Sequence, residues 1–256
     1  MFKEIIISIQ SYAQAHRFIK ANKLWKWILL PGIFYTSLFL MGMYYFSISS
    51  SSFIEWVILQ TGLKNWIDQL NNGFLGFLVT IGMLLLWLIL LLFYFSLFKY
   101  LFLIIGSPLF AYLSEKTEAI MEGKEHPFNA KQFLKDIIRG IQLSIRNSLW
   151  QTVYIISILL LSLIPLAGWL TPVIALLVEC YYYGFSMLDY SMERHQKSTP
   201  ESIAFVSAHK GLAIGNGLVF YLMHLLPIIG WILAPAYAVV AATLSIYPLK
   251  KTITPS

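Results

Sequence analysis

The stretch LLPIIGWILAP, Leu225 to Pro235, places two prolines and a glycine inside one of the most apolar parts of the chain. An earlier stretch, LIPLAGWLTP, Leu163 to Pro172, carries Pro, Gly and Trp in the same order and spacing. Proline removes a backbone donor and clashes with the preceding helical turn, while glycine permits a positive φ angle. The repeated P-x-x-G-W motif therefore predicts a turn at two corresponding places. Broken helices in corresponding positions of two repeats are typical of transport proteins.

The composition of the chain is that of an integral membrane protein. Of its 256 residues, 58% are hydrophobic and only 12% are charged, which is about half the charged fraction of a soluble domain. Four runs carry no Asp, Glu, Lys or Arg, and each exceeds the ~20 residues that a helix needs to cross ~30 Å of hydrocarbon. These runs are Trp27–Phe53, Gly73–Phe98, Asn147–Val178 and Gly211–Leu249.

The distribution of basic residues predicts how these runs cross the membrane. Segment 49–72 holds Lys64 as its one basic residue, whereas Lys and Arg are concentrated in 1–26, 114–148, 189–210 and the C-terminus. Because Lys and Arg favour the cytoplasmic side, we expect only 49–72 to be external. Two runs then cross completely, and the third and fourth each leave and return on the same side.

The lengths of the arms around each P-x-x-G-W motif favour hairpins that turn inside the bilayer. Leu149 to Ile164 is 16 residues and Leu212 to Leu226 is 15, or about 22–24 Å at ~1.5 Å per residue, which is short of a full crossing. A turn at that depth needs shielding by protein or water, because lipid cannot satisfy its peptide groups. For 149–190, two ordinary spanning helices with a tight external loop remain an alternative.

The predicted fold is an all-α integral membrane protein that forms one membrane domain over residues 1–256. Apolar side chains at helical spacing near the start, including Ile5, Ile9 and Tyr12, predict an amphipathic helix in the membrane interface. Two long transmembrane helices and two hemi-penetrating (re-entrant) helical hairpins follow. The predicted bounds are 1–26 for the amphipathic helix, 27–48 and 73–113 for the spanning helices, and 149–190 and 211–248 for the hairpins.

The sequence AHKGLAIGNG, Ala208 to Gly217, precedes the second hairpin and is the main candidate for chemistry. Glycines at a helix start let successive backbone N–H groups point into one concavity, which favours an anion. The same G-x-x-x-G-x-G spacing also serves close helix packing in membranes. Both interpretations remain open from the residues alone.

Other polar residues in or near the apolar runs are fewer. Lys26 lies between Trp25 and Trp27, as a cation for an anion site or as part of an interfacial aromatic belt. Glu179 and Asp189 are acids near a helix end, and an intramembrane acid is a candidate functional residue by default. We expect His224 to be a packing residue.

Several classes of function lack support in the sequence. It holds no H-E-x-x-H or G-x-S-x-G motif, and Cys180 is its single cysteine. We therefore predict no catalytic residues, no metal site, no cofactor and no nucleic-acid partner. An intramembrane enzyme would have only Glu179, Asp189 and His224 to use, in no coherent arrangement.

Several stretches together resemble the CysZ-type sulfate permeases, a family grouped with the etoposide-induced proteins. SPLFAYLSEKTEAIMEG, Ser107 to Gly123, resembles the segment A-P-F-x-x-x-L-x-E-x-x-E that follows the family's second span. The two P-x-x-G-W motifs fall where the family has I-P-x-x-G and I-P-x-x-N turns. MLDYSMERHQ, Met187 to Gln196, is similar to D-Y-P-x-x-N-H, with Ser191 in place of the proline. APAYAVVAAT, Ala234 to Thr243, is similar to M-P-x-A-V-x-G-A-T.

The resemblance implies homo-oligomers and sulfate uptake for cysteine biosynthesis, as a multi-pass protein of the bacterial inner (cytoplasmic) membrane. The family's sulfate site uses the stretch G-L-T-V-G-F-G and an arginine pair near the first helix. The pair falls at Trp25 and Lys26 here, so one position keeps its charge and the other does not. The resulting anion-binding set, with Lys210 added for its charge, is Gly211, Leu212, Ala213, Ile214, Gly215, Asn216, Gly217, Trp25, Lys26 and Lys210.

The sequence thus predicts a permease or channel for a small oxyanion, with sulfate as the expected substrate and membrane lipid as its surroundings. The alternative is a non-transporting membrane protein that scaffolds partners or shapes the bilayer. Detectable sulfate binding would separate the two.

Overall fold

The computed structural model describes residues 1–60, 62, 73–123, 130–162, 170–194 and 197–249. All regular structure within these residues is helical, which confirms the predicted all-α class. The helices are α1 (Phe2–Ala21), α2 (Trp25–Gln60), α3 (Gly73–Glu122), α4 (Ala130–Ser162), α5 (Thr171–Arg194), α6 (Thr199–Ala208), α7 (Lys210–His224) and α8 (Ile229–Ile246), followed by a 3₁₀ turn at Tyr247–Leu249.

Three helical segments among the described residues are long and apolar enough to cross a membrane: Trp25–Gln60, Thr171–Met192 and Ile229–Leu249. A fourth is added if α6 and α7, which meet at an 84° bend, are counted as one broken span. The membrane character predicted from the uncharged runs is therefore matched by helices of suitable length.

α2 extends beyond the residues predicted to span. The prediction of a loop directly after Ile48 is wrong for residues 49–60, which are helical. The serines at this point do not break the helix, because their hydroxyls donate back to its own carbonyls. Ser51 donates to the Ser47 oxygen at 2.9 Å and Ser52 to the Ile48 oxygen at 3.1 Å. The remainder of the predicted external segment, apart from residue 62, lies outside the described residues.

The chain divides into two compact units, one of Met1–Thr36 with Phe102–Ser256 and the other of Ser37–Leu101. The smaller unit consists of parts of α2 and α3, which pair through aromatic side chains. Phe39 packs edge-on against Phe98 at a ring separation of 5.1 Å, and Phe46 lies 4.9 Å from Tyr94. The Tyr94 hydroxyl donates to the Phe39 carbonyl at 2.9 Å, beside Gly42. This register makes the two helices antiparallel.

In the larger unit, α7 and α8 are joined by a tight turn at the place where the second re-entrant hairpin is predicted. The residue with a positive φ angle at the turn is Ile228, at 64°, and not the glycine that the motif suggested. Gly230 serves close packing instead, since an added Cβ would lie 1.9 Å from the Met223 carbonyl oxygen. The Trp231 indole donates to the His224 carbonyl at 3.1 Å and holds the two arms together. The first P-x-x-G-W motif falls mainly on residues 163–169, which lie outside the described residues.

α1 is helical as predicted, and one face of it is buried against its neighbours. The buried side chains include Ser8, Ser11 and Ala15, whereas Ile6 and Ile9 are exposed. Small side chains occupy the contact because α1 approaches the glycine-rich α7 closely. Ile6 and Ile9 are left on the outer face, whereas Ile19 is fully buried.

Two buried polar clusters fix the neighbouring helices. Arg139 of α4 donates to Asp189 of α5 at 2.8 Å, and Ser202 of α6 also donates to that carboxylate. Ser114 of α3, Ser191 of α5 and Thr243 of α8 form a triangle of hydroxyls, with sides of 3.0–3.1 Å. Their partners satisfy these groups where water is excluded.

Candidate functional site

The predicted glycine stretch is part of a regular helix. Residues 211–217 form the first two turns of α7, and six of the seven are buried. In such a helix the backbone N–H groups beyond the first turn bond to carbonyls four residues earlier and cannot bind a ligand. The expected concave nest over all seven residues is therefore reduced to the first turn of α7.

An acidic side chain already occupies that first turn. The Gly211 amide donates to Glu4 Oε2 at 3.2 Å, and His209 Nδ1 lies 2.8 Å from Glu4 Oε1. Glu4 is therefore held as an anion would be at a helix N-terminus, by a backbone N–H and the positive end of the helix dipole. The start of α7 is chemically suited to an anion, and the chain supplies one itself.

The glycines also allow close packing with helices on both sides of α7. A Cβ added to Gly215 would lie 2.9 Å from the Ile5 carbonyl oxygen of α1. A Cβ added to Gly217 would lie 2.0 Å from the Cys180 carbonyl oxygen of α5, and one added to Gly184 would lie 1.9 Å from the Ala213 oxygen. No side chain fits at these contacts without displacing backbone.

Asn216 and Tyr12 tie the same contact together with hydrogen bonds. The fully buried Asn216 donates through Nδ2 to the Ala238 carbonyl of α8 at 2.9 Å, and Tyr12 of α1 donates to the Asn216 carbonyl at 2.8 Å. Burial raises the pKa of Tyr12 well above its ordinary value, so its hydroxyl keeps the proton that it donates. Asn216 is thus a structural residue of the α1–α7–α8 contact.

Trp25 and Lys26 are placed away from the glycine stretch. The Trp25 ring packs edge-on against His16 at 6.3 Å, and His16 bonds to Tyr237 at 2.8 Å. Glu4, which touches Gly211, is about 18 Å from His16 along α1 at ~1.5 Å per residue. Lys26 is exposed, and within the described residues no hydrogen bond or ion pair joins it to residues 211–217. The structure brings Lys210, but not Trp25 or Lys26, to the start of α7.

Lys210 lines a cavity of about 470 Å³ together with a second cation, Arg146 of α4. Ser207 and Tyr181 add hydroxyl groups to the same wall. We call this space the basic cavity. It is an open cavity between α4, α5, the end of α6 and the start of α7, and Ile214 of the predicted site also lines it. Neither cation forms an ion pair with a carboxylate in the described part of the chain.

Sequence reasoning did not single out Arg146, although the sequence contains a signal for it. Arg146 directly precedes the third uncharged run, just as Lys210 directly precedes the fourth. Each hairpin segment therefore begins with one basic residue at the edge of the apolar run. Their convergence on one cavity depends on how α4 packs beside α7 and cannot be read from either run alone.

The remaining polar candidates have partners. Glu179 accepts hydrogen bonds from Tyr221, at 2.8 Å, and from Gln151. His224 lies against the Phe220 ring at 4.9 Å, and its Nε2 is 3.4 Å from the Tyr35 hydroxyl, as expected of a packing residue. No group of three or more His, Cys, Asp or Glu side chains within the described residues is placed to hold a metal ion.

These features define a class of protein: a helical membrane protein that combines a hairpin of broken helices with anion-attracting groups at the hairpin base. The family model described as Sulfate transporter CysZ/Etoposide-induced protein 2.4 matches residues 11–235. The chain therefore belongs to this family, and the resemblance seen in its motifs is confirmed.

Relatives in the family carry the name Sulfate transporter CysZ. One, from Pseudomonas paraeruginosa (strain DSM 24068 / PA7), is 27% identical over 195 residues, covering 75% of this chain and 76% of the relative. Another, from Pseudomonas fluorescens (strain Pf0-1), is 25% identical over 220 residues, covering 85% of this chain and 83% of the relative. These similarities span most of the chain.

Proposed function

We propose that the protein is a permease or channel for a small oxyanion, and that sulfate taken up through it supplies cysteine biosynthesis. The observation that carries the proposal is the match of residues 11–235 to a family whose description names a sulfate transporter. We propose transport rather than catalysis on the same match, since the family is described as a transporter.

The proposed architecture keeps two spanning helices and two re-entrant hairpins in a single membrane domain. α7 has 15 residues, or about 22 Å, which is shorter than the ~30 Å hydrocarbon core. The chain reverses at the tight turn around Ile228, so the start of α7 and the end of α8 lie on the same side of the membrane. α1 would lie in the interface with Ile6 and Ile9 in lipid, and the protein would be a multi-pass homo-oligomer of a bacterial inner membrane.

The proposed oxyanion position is the start of α7. The Glu4 carboxylate supports it, because a group of the same charge is bound there by Gly211 and His209. An incoming oxyanion would displace Glu4, while Lys210 supplies long-range attraction. Residues 212–217 would then act by holding α7 against α1, and Trp25 with Lys26 would act at a separate point, as a second contact along the route.

Uptake of radiolabelled sulfate into proteoliposomes tests the proposal, with Glu4→Gln as the informative variant. The substitution keeps the size of the side chain but removes the charge that competes with the substrate. We expect saturable uptake by the wild type and half-saturation at a lower sulfate concentration, by about threefold or more, for Glu4→Gln. A threefold change in half-saturation is the size expected when one charged group displaces another at a helix N-terminus.

Glu55→Gln is the matched control, since it removes the same charge from an exposed position on α2. It should leave half-saturation unchanged. Uptake no greater than that of empty liposomes, by wild-type protein with an intact unfolding transition, would contradict transport and favour the non-transporting scaffold. Equal half-saturation for Glu4→Gln and wild type would remove the start of α7 as the oxyanion position.

A further inference from the structure

The basic cavity has a polar end and an apolar end, and the order is the same on each long helix that lines it. On α4, Arg146, Trp150 and Tyr154 follow one another at intervals of one turn on one face. On α7, Lys210 is followed one turn later by Ile214. In both helices the cation stands at the edge of the uncharged run and the less polar residues lie within it.

α5, the third long helix that lines the basic cavity, runs in the direction opposite to α4 and α7. Tyr181 and Tyr182 lie nearest the cations, followed by Val178 and Leu177, with Ile174 farthest away. The register is fixed by the Arg139–Asp189 and Gln151–Glu179 pairs between α4 and α5, and by the contact of Gly184 with Ala213 between α5 and α7. Arg146 and Lys210 therefore stand near the level of Gly184, about 15 Å from Ile174 at ~1.5 Å per residue.

The described residues do not neutralise the charge of the polar end. Arg146 donates through Nη1 to the neutral Asn147 side chain at 3.0 Å, and no acidic side chain among the described residues lines the cavity. Two cations within one concave surface attract an anion, and arginine in particular suits phosphate oxygens. The hydroxyls of Ser207 and Tyr181 add further hydrogen-bonding groups at that end.

The size of the basic cavity and its apolar end indicate which kind of anion it can bind. A cavity of about 470 Å³ is far larger than the space that one tetrahedral oxyanion fills. The apolar end offers nothing to a free oxyanion, yet Trp150, Ile174 and Leu177 remain exposed there. Exposed apolar side chains beside paired cations suit a ligand with a charged head and a hydrocarbon tail.

We propose that the basic cavity binds an anionic phospholipid. Arg146 and Lys210 hold the head-group phosphate, and the first part of an acyl chain lies along Leu177 and Ile174. The lipid fills the space between the two hairpin segments and so links the position of α4 to that of α7. The site shares the charge of Lys210 with the oxyanion position but not the Gly211–Glu4 contact, and the proposal stands whether or not the protein transports sulfate.

Native mass spectrometry of the detergent-purified full-length chain tests this proposal. The probes are phosphatidylglycerol, phosphatidylcholine, inorganic sulfate and inorganic phosphate, each titrated separately. We expect phosphatidylglycerol to bind at least tenfold more tightly than phosphatidylcholine. The double variant Arg146→Gln/Lys210→Gln should lose about tenfold in phosphatidylglycerol affinity, as expected for two surface cations that contact an anionic head group.

The double variant Arg17→Gln/Lys20→Gln is the charge-matched control, because both residues are exposed on α1. It should keep its phosphatidylglycerol affinity within about twofold, which separates a specific site from general attraction to anionic lipid. The charge-conserving variant Arg146→Lys/Lys210→Arg should retain most of the binding and checks that losses do not reflect misfolding.

A second readout examines the apolar end. Phosphatidylglycerol with brominated acyl chains should quench tryptophan fluorescence, and Trp150→Phe should remove part of that quenching. Equal affinity for the two lipids, or equal loss in the cavity and control variants, would overturn the proposal. So would binding of free sulfate or phosphate that needs Arg146 and Lys210 and excludes phosphatidylglycerol, since the cavity would then be a free-oxyanion site.

Discussion

The two sides of α7 have opposite roles: one is packed against neighbouring helices, and the other lines a cavity. On one side Gly215 and Gly217 press against backbone of α1 and α5, with no room for a side chain. On the other side Lys210 and Ile214 line a cavity of about 470 Å³. The packed side is fixed by van der Waals contact and buried hydrogen bonds, whereas the open side keeps cations that have no carboxylate partner among the described residues.

This difference indicates which residues maintain the fold and which are available to a ligand. Charged side chains are costly to hold at a membrane boundary unless they have a partner, and the packed side of α7 contains none. We therefore expect substitutions on the packed side of α7 to lower stability more than substitutions on the open side.

Gly217→Val should have the largest effect. Its Cβ would lie 2.0 Å from the Cys180 carbonyl oxygen, so α5 and α7 must separate, at about 3 kcal/mol or more. Thermal unfolding in detergent would record this as a large fall in Tm or a loss of folded protein. Gly76→Ala in α3, where a Cβ meets nothing within 4 Å, is the control and should leave the Tm unchanged or slightly raised. A Tm for Gly217→Val equal to that of the wild type would show that the helices are not in close contact.

Asn216→Ala should have a moderate effect on the same side. It removes the side-chain donor to the Ala238 carbonyl and leaves a cavity where the fully buried amide stood, at about 1–3 kcal/mol. The Asn216 Oδ1 atom has no protein partner to lose, which keeps the cost within this range. Asn216→Asp, which introduces a buried charge, should unfold at a lower temperature than Asn216→Ala. The reverse order would contradict the buried, structural role.

Glu4→Ala changes the start of α7, where the packed side and the open side meet. The carboxylate stabilises the start of α7, and its loss should lower the free energy of unfolding by about 1 kcal/mol. Added sulfate should restore part of the lost Tm in this variant and have a smaller effect on the wild type, since the anion position is then vacant. A restoration that chloride matches at equal ionic strength would indicate general screening rather than a site.

Arg146→Gln/Lys210→Gln should have the smallest effect on stability. Neither cation has an acidic partner within the described residues, and substitutions of this kind usually change the free energy of unfolding by less than about 0.5 kcal/mol. The measurement is thermal unfolding in uncharged detergent without added lipid. A fall comparable to that of Asn216→Ala would mean that these cations support the fold directly, and the two sides of α7 would not differ as described.

Much of the fold was predictable because membrane insertion constrains sequence strongly. The uncharged runs predicted the apolar helices, and Pro227 with Gly230 predicted the break before α8. The roles within that turn were not predictable: Ile228 takes the positive φ angle, while Gly230 admits the end of α7. A motif indicates that the chain turns, but the residue that adopts the unusual backbone angle depends on the contact between the arms.

The candidate site was predictable only in part. The spacing of Gly211, Gly215 and Gly217 was compatible with anion binding and with packing, and the structure uses the stretch for packing beyond its first turn. Glu4 was not foreseen, because its place at Gly211 joins residues at opposite ends of the chain. Arg146 was visible as a charge beside an apolar run, but its approach to Lys210 requires α4 and α7 to be neighbours.

The sequence by itself determined that this protein is helical, membrane-embedded and a member of its family, because apolar run length, charge placement and motif order are all local properties of the chain. Tertiary structure decided which face of each helix is closed and which is open. Only the packing of α1, α4 and α5 around α7 buries the glycines, brings Glu4 to the helix start and leaves Arg146 and Lys210 facing one cavity. Those outcomes depend on distances between residues far apart in the chain, which spacing along the sequence does not specify.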